Sequence, residues 1–453
     1  MALSSYQGAD SMVELSLSAL YHYQFSSIFK SIHHISDCDK ADETILGHCL
    51  KYFKTRERVR LQTDVTPLAK PHSPTLKERQ FVKESNTVIK GNKPITIGYP
   101  LSCIHLSGEE KWSLPLSRQR VGLDHTESSF AVVQLRALVP KLEKALGCEL
   151  IINTTDSGYT HAAYLSPLYG LEDLVCISRF RYGCKVFTCA PSVGQSTEGA
   201  KKRGATKIYD QCFYLRDQTK VVHGTAPKTQ KPYTKEQATI YDLDWSEEQI
   251  LKAVTKKGRP LLIRLRRWND LKLRSKNGYC MKHKPFDLIS CRVTDAKTGE
   301  LVFQREMFFG VFGQRKSQVD LREAYEDYRH RYDIEPSFRF NKQQLFLDKY
   351  LCEDVRYLDN FLLINQLSNW LLYVASQEVG FVPRKWEQNK SKRPDASQRL
   401  PIAKTRRATE TLFLTFDKKP FLPQPSKKGK GNIKKSRPHY PVVKKSRKKP
   451  LCK

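Results

Sequence analysis

The stretch from Tyr328 to Lys342, YRHRYDIEPSFRFNK, restricts the fold more than any other part of the chain. On an uninterrupted helix turning about 100° per residue, Tyr328, Arg331, Glu335 and Lys342 fall within a sector of roughly 80°, with Phe338 among them. One face then carries a phenol, a carboxylate and two cations. Such a face suits a solvated helix with i,i+4 ion pairs. It equally suits a site where a carboxylate holds a metal ion and cations hold phosphates. Pro336 constrains the backbone, because proline donates no helical hydrogen bond and disfavours the α conformation in the residue before it. The spacing predicts a helix starting at Pro336, with Glu335 at its joint and Lys342 on it. Tyr328 and Arg331 then lie on the approach.

Further carboxylates occupy strand-like contexts. In RVRLQTDVTPLAKPHSPTL, Val59, Leu61, Thr63 and Val65 alternate with polar residues, the period of a strand, and prolines 67, 71 and 74 follow. Asp64 is expected at the exit of that strand. Runs over 95–104 and 112–121 complete an antiparallel meander, and 127–146 has helical spacing with Pro140 as a kink. A short buried strand at 149–153 precedes Asp156, Gly158 and Tyr159, so a second Asp is expected where a strand ends in a tight turn. Asp124 competes with Asp64, but HTES follows it and a helix begins there. Another buried strand, 174–180, leads into Arg179, Arg181, Tyr182 and Lys185, cations beside an aromatic that suit a DNA channel and suit a solvated strand end as well.

From about 181 to 322 the pattern is short strands divided by basic turns, with DAKTGE as a hairpin signal. Arg264, Arg266 and Arg267 beside Trp268 form either a basic and aromatic patch or the charged outer face of a half-buried strand. The domain order expected is a helical region 1–56, the first part of a catalytic domain 57–180, a β-rich insertion 181–322, C-terminal helices 323–378 and a basic, largely disordered tail 379–453. Its last 29 residues carry 12 Lys and Arg and no acid.

The formal charge is +31, from 78 Lys and Arg against 47 Asp and Glu, and calls for a polyanionic partner. No apolar run approaches the roughly 20 residues of a membrane-spanning helix, and the N-terminus lacks the pattern of a secretory signal. No membrane partner is expected, and the chain reads as soluble and intracellular. The 12 cysteines have no paired spacing, which favours reduced thiols over a disulfide framework. Neither Cys176, Cys184 and Cys189 nor Cys280, His283 and Cys291 repeats a structural zinc knuckle.

Tyr, two residues, Arg, three residues, Glu, six residues, Lys is the signature of the DDE transposases of bacterial insertion sequences of the insertion sequence four type. Tyr328, Arg331, Glu335 and Lys342 match it at every position. QTDVTPLAKP and TTDSGYTHAAYL resemble that group's two Asp motifs, over roughly residues 55 to 375. The resemblance implies an α/β RNase H-like fold, a mixed sheet flanked by helices, with a β-rich insertion between the second Asp and the Glu. It further implies Asp64, Asp156 and Glu335 as ligands of two Mg²⁺ ions, with Mn²⁺ as substitute, and cleavage of DNA at the element's ends followed by strand transfer. DNA ends and target would be the partners, a homodimer the form in the complex, and the bacterial cytoplasm, at the nucleoid, the location. Arg331 and Lys342 would hold phosphates, Tyr328 would position the strand, and Trp268 or another aromatic of the insertion would serve a flipped base, with Arg179 and Arg181 also on DNA.

Overall fold

A computed structural model describes the chain except residues 22, 24, 53–57, 84–94, 191–207, 226–231, 256, 385–386, 388–398, 417–440 and 443–453. Of the largely disordered tail expected over 379–453, Ile402–Phe416 form a helix with Thr405, Arg406 and Thr409 buried, and the part from residue 425 lies almost wholly outside the described residues. In order, the elements are α1 (Ala2–Ser5), α2 (Ser26–His33), α3 (Cys38–Leu50), β1 (Arg58–Ala69), β2 (Gln80–Val82), β3 (Thr96–Ser107), β4 (Ser113–Arg120) and α4 (Glu127–Leu146). Then come β5 (Leu150–Thr155), α5 (Ala162–Leu168), β6 (Leu174–Phe180), β7 (Lys185–Cys189), β8 (Tyr209–Tyr214), β9 (Lys220–Thr225) and β10 (Pro232–Gln237). Strands β11 (Glu247–Val254), β12 (Pro260–Leu271), β13 (Phe286–Asp295) and β14 (Met307–Phe312) follow. Helices α6 (Leu321–His330), α7 (Ile334–Gln343), α8 (Val355–Ala375) and α9 (Ile402–Phe416) close the described chain.

These elements form two compact units. The first comprises Met1–Gln134, Pro140–Cys148 and the described residues from Tyr332 onward; the second comprises Leu135–Val139 and Glu149–Arg331.

In the first unit, β3 pairs antiparallel with β1, β2 and β4. The expected strand over 59–65 continues to Ala69, so Asp64 lies in the middle of β1 rather than at its exit. Proline does not end the strand because Pro67 and Pro100 are register partners. The two positions without an N–H fall on one rung, and pairing resumes at Leu68. Gly98 permits the close approach beyond, since a Cβ there would lie 2.0 Å from the Leu68 carbonyl oxygen. Helix α8 packs on β4, and α7 on β1 and β4.

The second unit carries a mixed sheet in the order β11-β12-β13-β14-β6-β5. Only β5 and β6 run parallel; the other neighbours are antiparallel. The stretch 181–322 is rich in strands, but β11 to β14 extend the sheet of β5 and β6, while β7–β8 and β9–β10 form separate ribbons. The boundary expected at residue 181 therefore falls inside a unit. Helix α6 starts on a capping box between Asp320 and Glu323 and covers β5, β11 and β12. Beneath it Leu321, Ala324, Tyr325 and Tyr328 join Ile152, Ile177, Leu265, Ile289 and Phe309 in one core. Each large apolar side chain buried there contributes about 1.5–3 kcal/mol. Mixed α/β composition, with a mixed sheet covered by helices, is consistent with an RNase H-like fold.

The stretch from Tyr328 to Lys342 is not one helix. Helix α6 ends at His330, Arg331–Asp333 make a 3-10 turn, and α7 begins at Ile334. A continuous α-helix would drive the Pro336 ring against the carbonyl of Tyr332, four residues back. Restarting at Ile334 puts Pro336 in a first turn, where no N–H is needed. Glu335 is thus inside α7 rather than just before it.

Candidate active site

Asp64 and Glu335 belong to packed elements of the first unit. Asp64 is half-buried on β1, its Oδ1 accepting the Val65 N–H at 2.8 Å. It heads a cross-strand row, since Asp64 is the register partner of Cys103 and Cys103 that of Arg118. Register partners share a face of the sheet. Burial pushes the Cys103 thiol up to about 11, with the charges of Arg118, Asp64 and Lys342 as smaller influences. Lys342, half-buried on α7, is therefore close to the strands that carry this row.

A buried polar network fixes α7 on these strands. Ser337 Oγ donates to the Ser113 carbonyl at 3.2 Å, and Asn369 Nδ2 donates to Asn341 Oδ1 at 2.6 Å. Arg118, 5% exposed, donates from Nη1 to Asn341 Oδ1 at 3.1 Å and also to Asn365 Oδ1. The Ser113 hydroxyl donates to Gln62 Oε1 at 2.5 Å and lies 2.9 Å from His105 Nδ1. The His105 ring meets Phe338 edge-on, with centroids 5.6 Å apart. Burial first, then the Arg118 charge, holds His105 well below the usual imidazole range. Burial lowers the Arg118 guanidinium as well.

At the far end of β1, Lys70 is 2% exposed. Its ammonium donates to the carbonyls of Asp348 and Tyr350, each at 2.8 Å, and of Leu347 at 3.4 Å. Lys70 and Arg118 were not foreseen as parts of this arrangement. One signal was available: Asn360, Asn365, Gln366 and Asn369 stand in an otherwise apolar helical run, and buried amides require partners.

Asp156 belongs to the second unit and stands immediately after β5, as its sequence context predicts. Its Oδ1 accepts the Gly158 N–H at 2.7 Å, and the Tyr159 N–H returns to its carbonyl at 3.3 Å. The preceding strand is buried throughout, Asn153 donating to the Tyr164 hydroxyl at 2.8 Å. The rival Asp124 has a side chain 80% exposed, just before the capping residue Thr126 of α4.

The expected DNA contacts divide. Arg179 is half-buried at the end of β6, and Arg181 is exposed just beyond it. Tyr328 is 2% exposed and stacks on Phe309 at 5.2 Å, and Arg331 is 6% exposed with its guanidinium 6.0 Å from the Tyr328 ring centre. In this conformation both are part of the core, not of a DNA surface. Trp268 is corrected likewise: it is 1% exposed and its indole N–H donates to the Leu243 carbonyl at 2.9 Å. No face of that ring is open to a base. Nor is there an open patch around it, because Arg264 and Arg266 pair with Glu248 at 3.5 and 2.9 Å and Arg267 turns inward to the Val319 carbonyl. The half-buried strand with a charged outer face is the alternative realised.

Carboxylate oxygens are the donors that hard divalent cations take, so the residue types at 64, 156 and 335 fit such an ion. Among the described residues, no group of three or more His, Cys, Asp or Glu side chains is set to hold a metal. None of their helices is long and apolar enough to cross a membrane.

The sequence profile of the DDE superfamily endonucleases matches residues 2–244. More than half of the chain is covered, and the chain belongs to that family. Asp64 and Asp156 lie inside the matched region; Glu335 lies beyond it. No curated protein matches this sequence. Membership implies a nuclease-type enzyme that acts on DNA with divalent metal ions.

Proposed function

We propose that the protein is a DNA transposase of the insertion sequence four type, which cleaves DNA at the ends of its element and joins the freed ends to a target. The observation that carries this reading is the packing of α7, which bears Glu335 and Lys342, on β1, which bears Asp64, inside a chain of the DDE family. The Tyr328, Arg331, Glu335, Lys342 spacing supports the finer assignment, as does the β-rich stretch between Asp156 and Glu335.

Asp64, Asp156 and Glu335 are the residues that would hold two Mg²⁺ ions, or Mn²⁺ in their place. The chemistry supplied when these are bound is polarisation of the phosphodiester and activation of the attacking oxygen. In the first reaction a water oxygen forms a bond to phosphorus, the P–O3′ bond breaks, and the strand leaves with a 3′ hydroxyl. In the second, that hydroxyl attacks a target phosphodiester: a new P–O3′ bond forms and the target strand departs with its own 3′ hydroxyl. Lys342 holds a phosphate near the cut. Tyr328 and Arg331 act from within the core by setting where α6 ends. The enzyme works as a homodimer on paired ends in the bacterial cytoplasm.

The test uses the full chain with DNA taken from the two boundaries of its gene, where this reading requires short inverted repeats. Wild type is expected to nick with Mg²⁺, and Asp64→Asn, Asp156→Asn and Glu335→Gln each to lose at least about a hundredfold in rate while still binding DNA. Equal cutting by wild type and Asp156→Asn rejects the site. A precleaved end with a 3′ hydroxyl separates the remaining classes: joining supports a transposase, and cutting without joining leaves a nuclease. Binding with no cutting in Mg²⁺ or Mn²⁺ identifies a DNA-binding derivative without catalysis.

A further inference from the structure

Residues 272–285 of the second unit, KLRSKNGYCMKHKP, hold five Lys and Arg in fourteen positions and no acid. The segment is an ordered arm. Asn277 and Gly278 have φ of 53° and 84°, and Lys276 and Tyr279 exchange backbone hydrogen bonds of 3.2 and 3.0 Å. Two left-handed central residues make the tight hairpin turn that Asn-Gly favours. Behind the tip, the Met281 N–H donates to Ser275 Oγ at 2.8 Å and the Ser275 N–H to the Tyr209 hydroxyl at 3.1 Å, while Met281 is fully buried.

The base of the arm is fastened to α5, the helix that follows the Asp156 turn. Ser166 Oγ donates to the Cys280 carbonyl at 2.8 Å, and the Lys284 ammonium reaches the Ser166 carbonyl and hydroxyl at 2.8 and 2.7 Å. Lys272 is anchored too, its N–H donating to the Phe187 carbonyl at 2.7 Å. Arg274, Lys276 and Lys282 are exposed, and among the described residues none of them forms an ion pair. His161, five residues after Asp156, is held below the usual imidazole range by burial first, then by the charges of Lys276 and Arg181. The arm's tip is thus close to the turn that Asp156 opens.

We propose that this arm is a binding site for the phosphates of a DNA strand beside Asp156, with Arg274, Lys276 and Lys282 as the contacts. A rigid turn holding three exposed cations neutralises phosphates with little ordering cost, and contacts of this kind carry no base information. The assignment rests on DNA as the substrate of this family and on Asp156 as a site residue.

Salt dependence of binding tests it, measured in EDTA so that no cutting intervenes. The probe is a labelled duplex of about 30 base pairs with no chosen sequence. The full chain is compared with R274Q/K276Q/K282Q and with a control of equal charge loss, K40Q/K111Q/K144Q, at exposed lysines of the first unit. Each lost phosphate contact makes the slope of log affinity against log salt shallower by about 0.9. The arm variant is expected to lose about two to three from the slope, and the control less than about one. Equal losses in both variants, or no loss in the arm variant, overturn the proposal. Cleavage by wild type in Mg²⁺ is read in parallel. An arm-dependent slope without cleavage keeps the arm and removes the catalytic reading; cleavage with an unaltered slope in the arm variant removes the arm alone.

Discussion

The ammonium of Lys70 lies 2.8 Å from the carbonyl oxygen of Tyr350. Lys70 directly follows β1, the strand of Asp64, and Tyr350 lies in the loop that follows α7, the helix of Glu335, so one buried cation ties the two elements together.

Burial lowers the Lys70 pKa from 10.5 to about 8, with Asp348 and Cys352 resisting. Between those values the unfolded chain binds more protons than the folded one, so the Lys70 contribution to stability rises as pH rises through that window. The full rise is at most about 3 kcal/mol. Lys70→Met is expected to lack it, and to be about 2 kcal/mol less stable than wild type near neutral pH because three carbonyls lose their donor. Urea denaturation of both proteins at about pH 7 and about pH 10 measures this. A variant with the wild-type pH slope contradicts it.

Asp42, on α3, offers a gain. Burial raises its pKa from 3.8 to about 6, against smaller opposing effects of Gln366 and Lys141. Through that window the folded chain binds more protons, so stability falls as pH rises and the penalty is complete at neutral pH. Asp42→Asn keeps an oxygen for the Gln366 amide, which now donates to Asp42 Oδ1 at 2.8 Å. The variant should be about 1–2 kcal/mol more stable than wild type at neutral pH and equal to it below pH of about 4. Thermal unfolding across that range checks the crossover; a constant difference would show that ionisation is not the cause.

Trp268→Phe separates core from DNA surface. The substitution removes the hydrogen bond to Leu243 and some buried area, at a cost of about 1–2 kcal/mol. DNA affinity and its salt slope should stay at wild-type values. Weaker DNA binding by a folded variant would restore the base-contact role that the buried ring argues against.

Much of the site was legible locally. Alternation marked β1, short apolar runs marked β5 and β6, and Asp156 stands where strand and glycine turn predicted. Pro336 announced the division of the Tyr328 to Lys342 stretch, because its ring restricts the backbone whatever packs around it. Asp64 was misplaced by a local rule: prolines normally end a strand, but Pro67 is tolerated because Pro100 faces it, and only the register of β1 with β3 decides that. Trp268 failed for a related reason. A tryptophan beside three arginines reads the same whether the strand faces water or core, and the burial of β12 in its sheet settles which.

By itself, the sequence determined residue chemistry and local geometry: the carboxylates, an excess of cations, a strand-ending Asp156 and a break in the helical stretch at Pro336. Tertiary structure alone decided burial and partnership. It turned Tyr328, Arg331 and Trp268 inward, gave Lys70 its three carbonyls, and joined Arg118 to amides more than two hundred residues away. The physical reason is range. Backbone restriction and turn geometry act within a few residues, whereas desolvation and hydrogen-bond satisfaction depend on groups that only folding brings together.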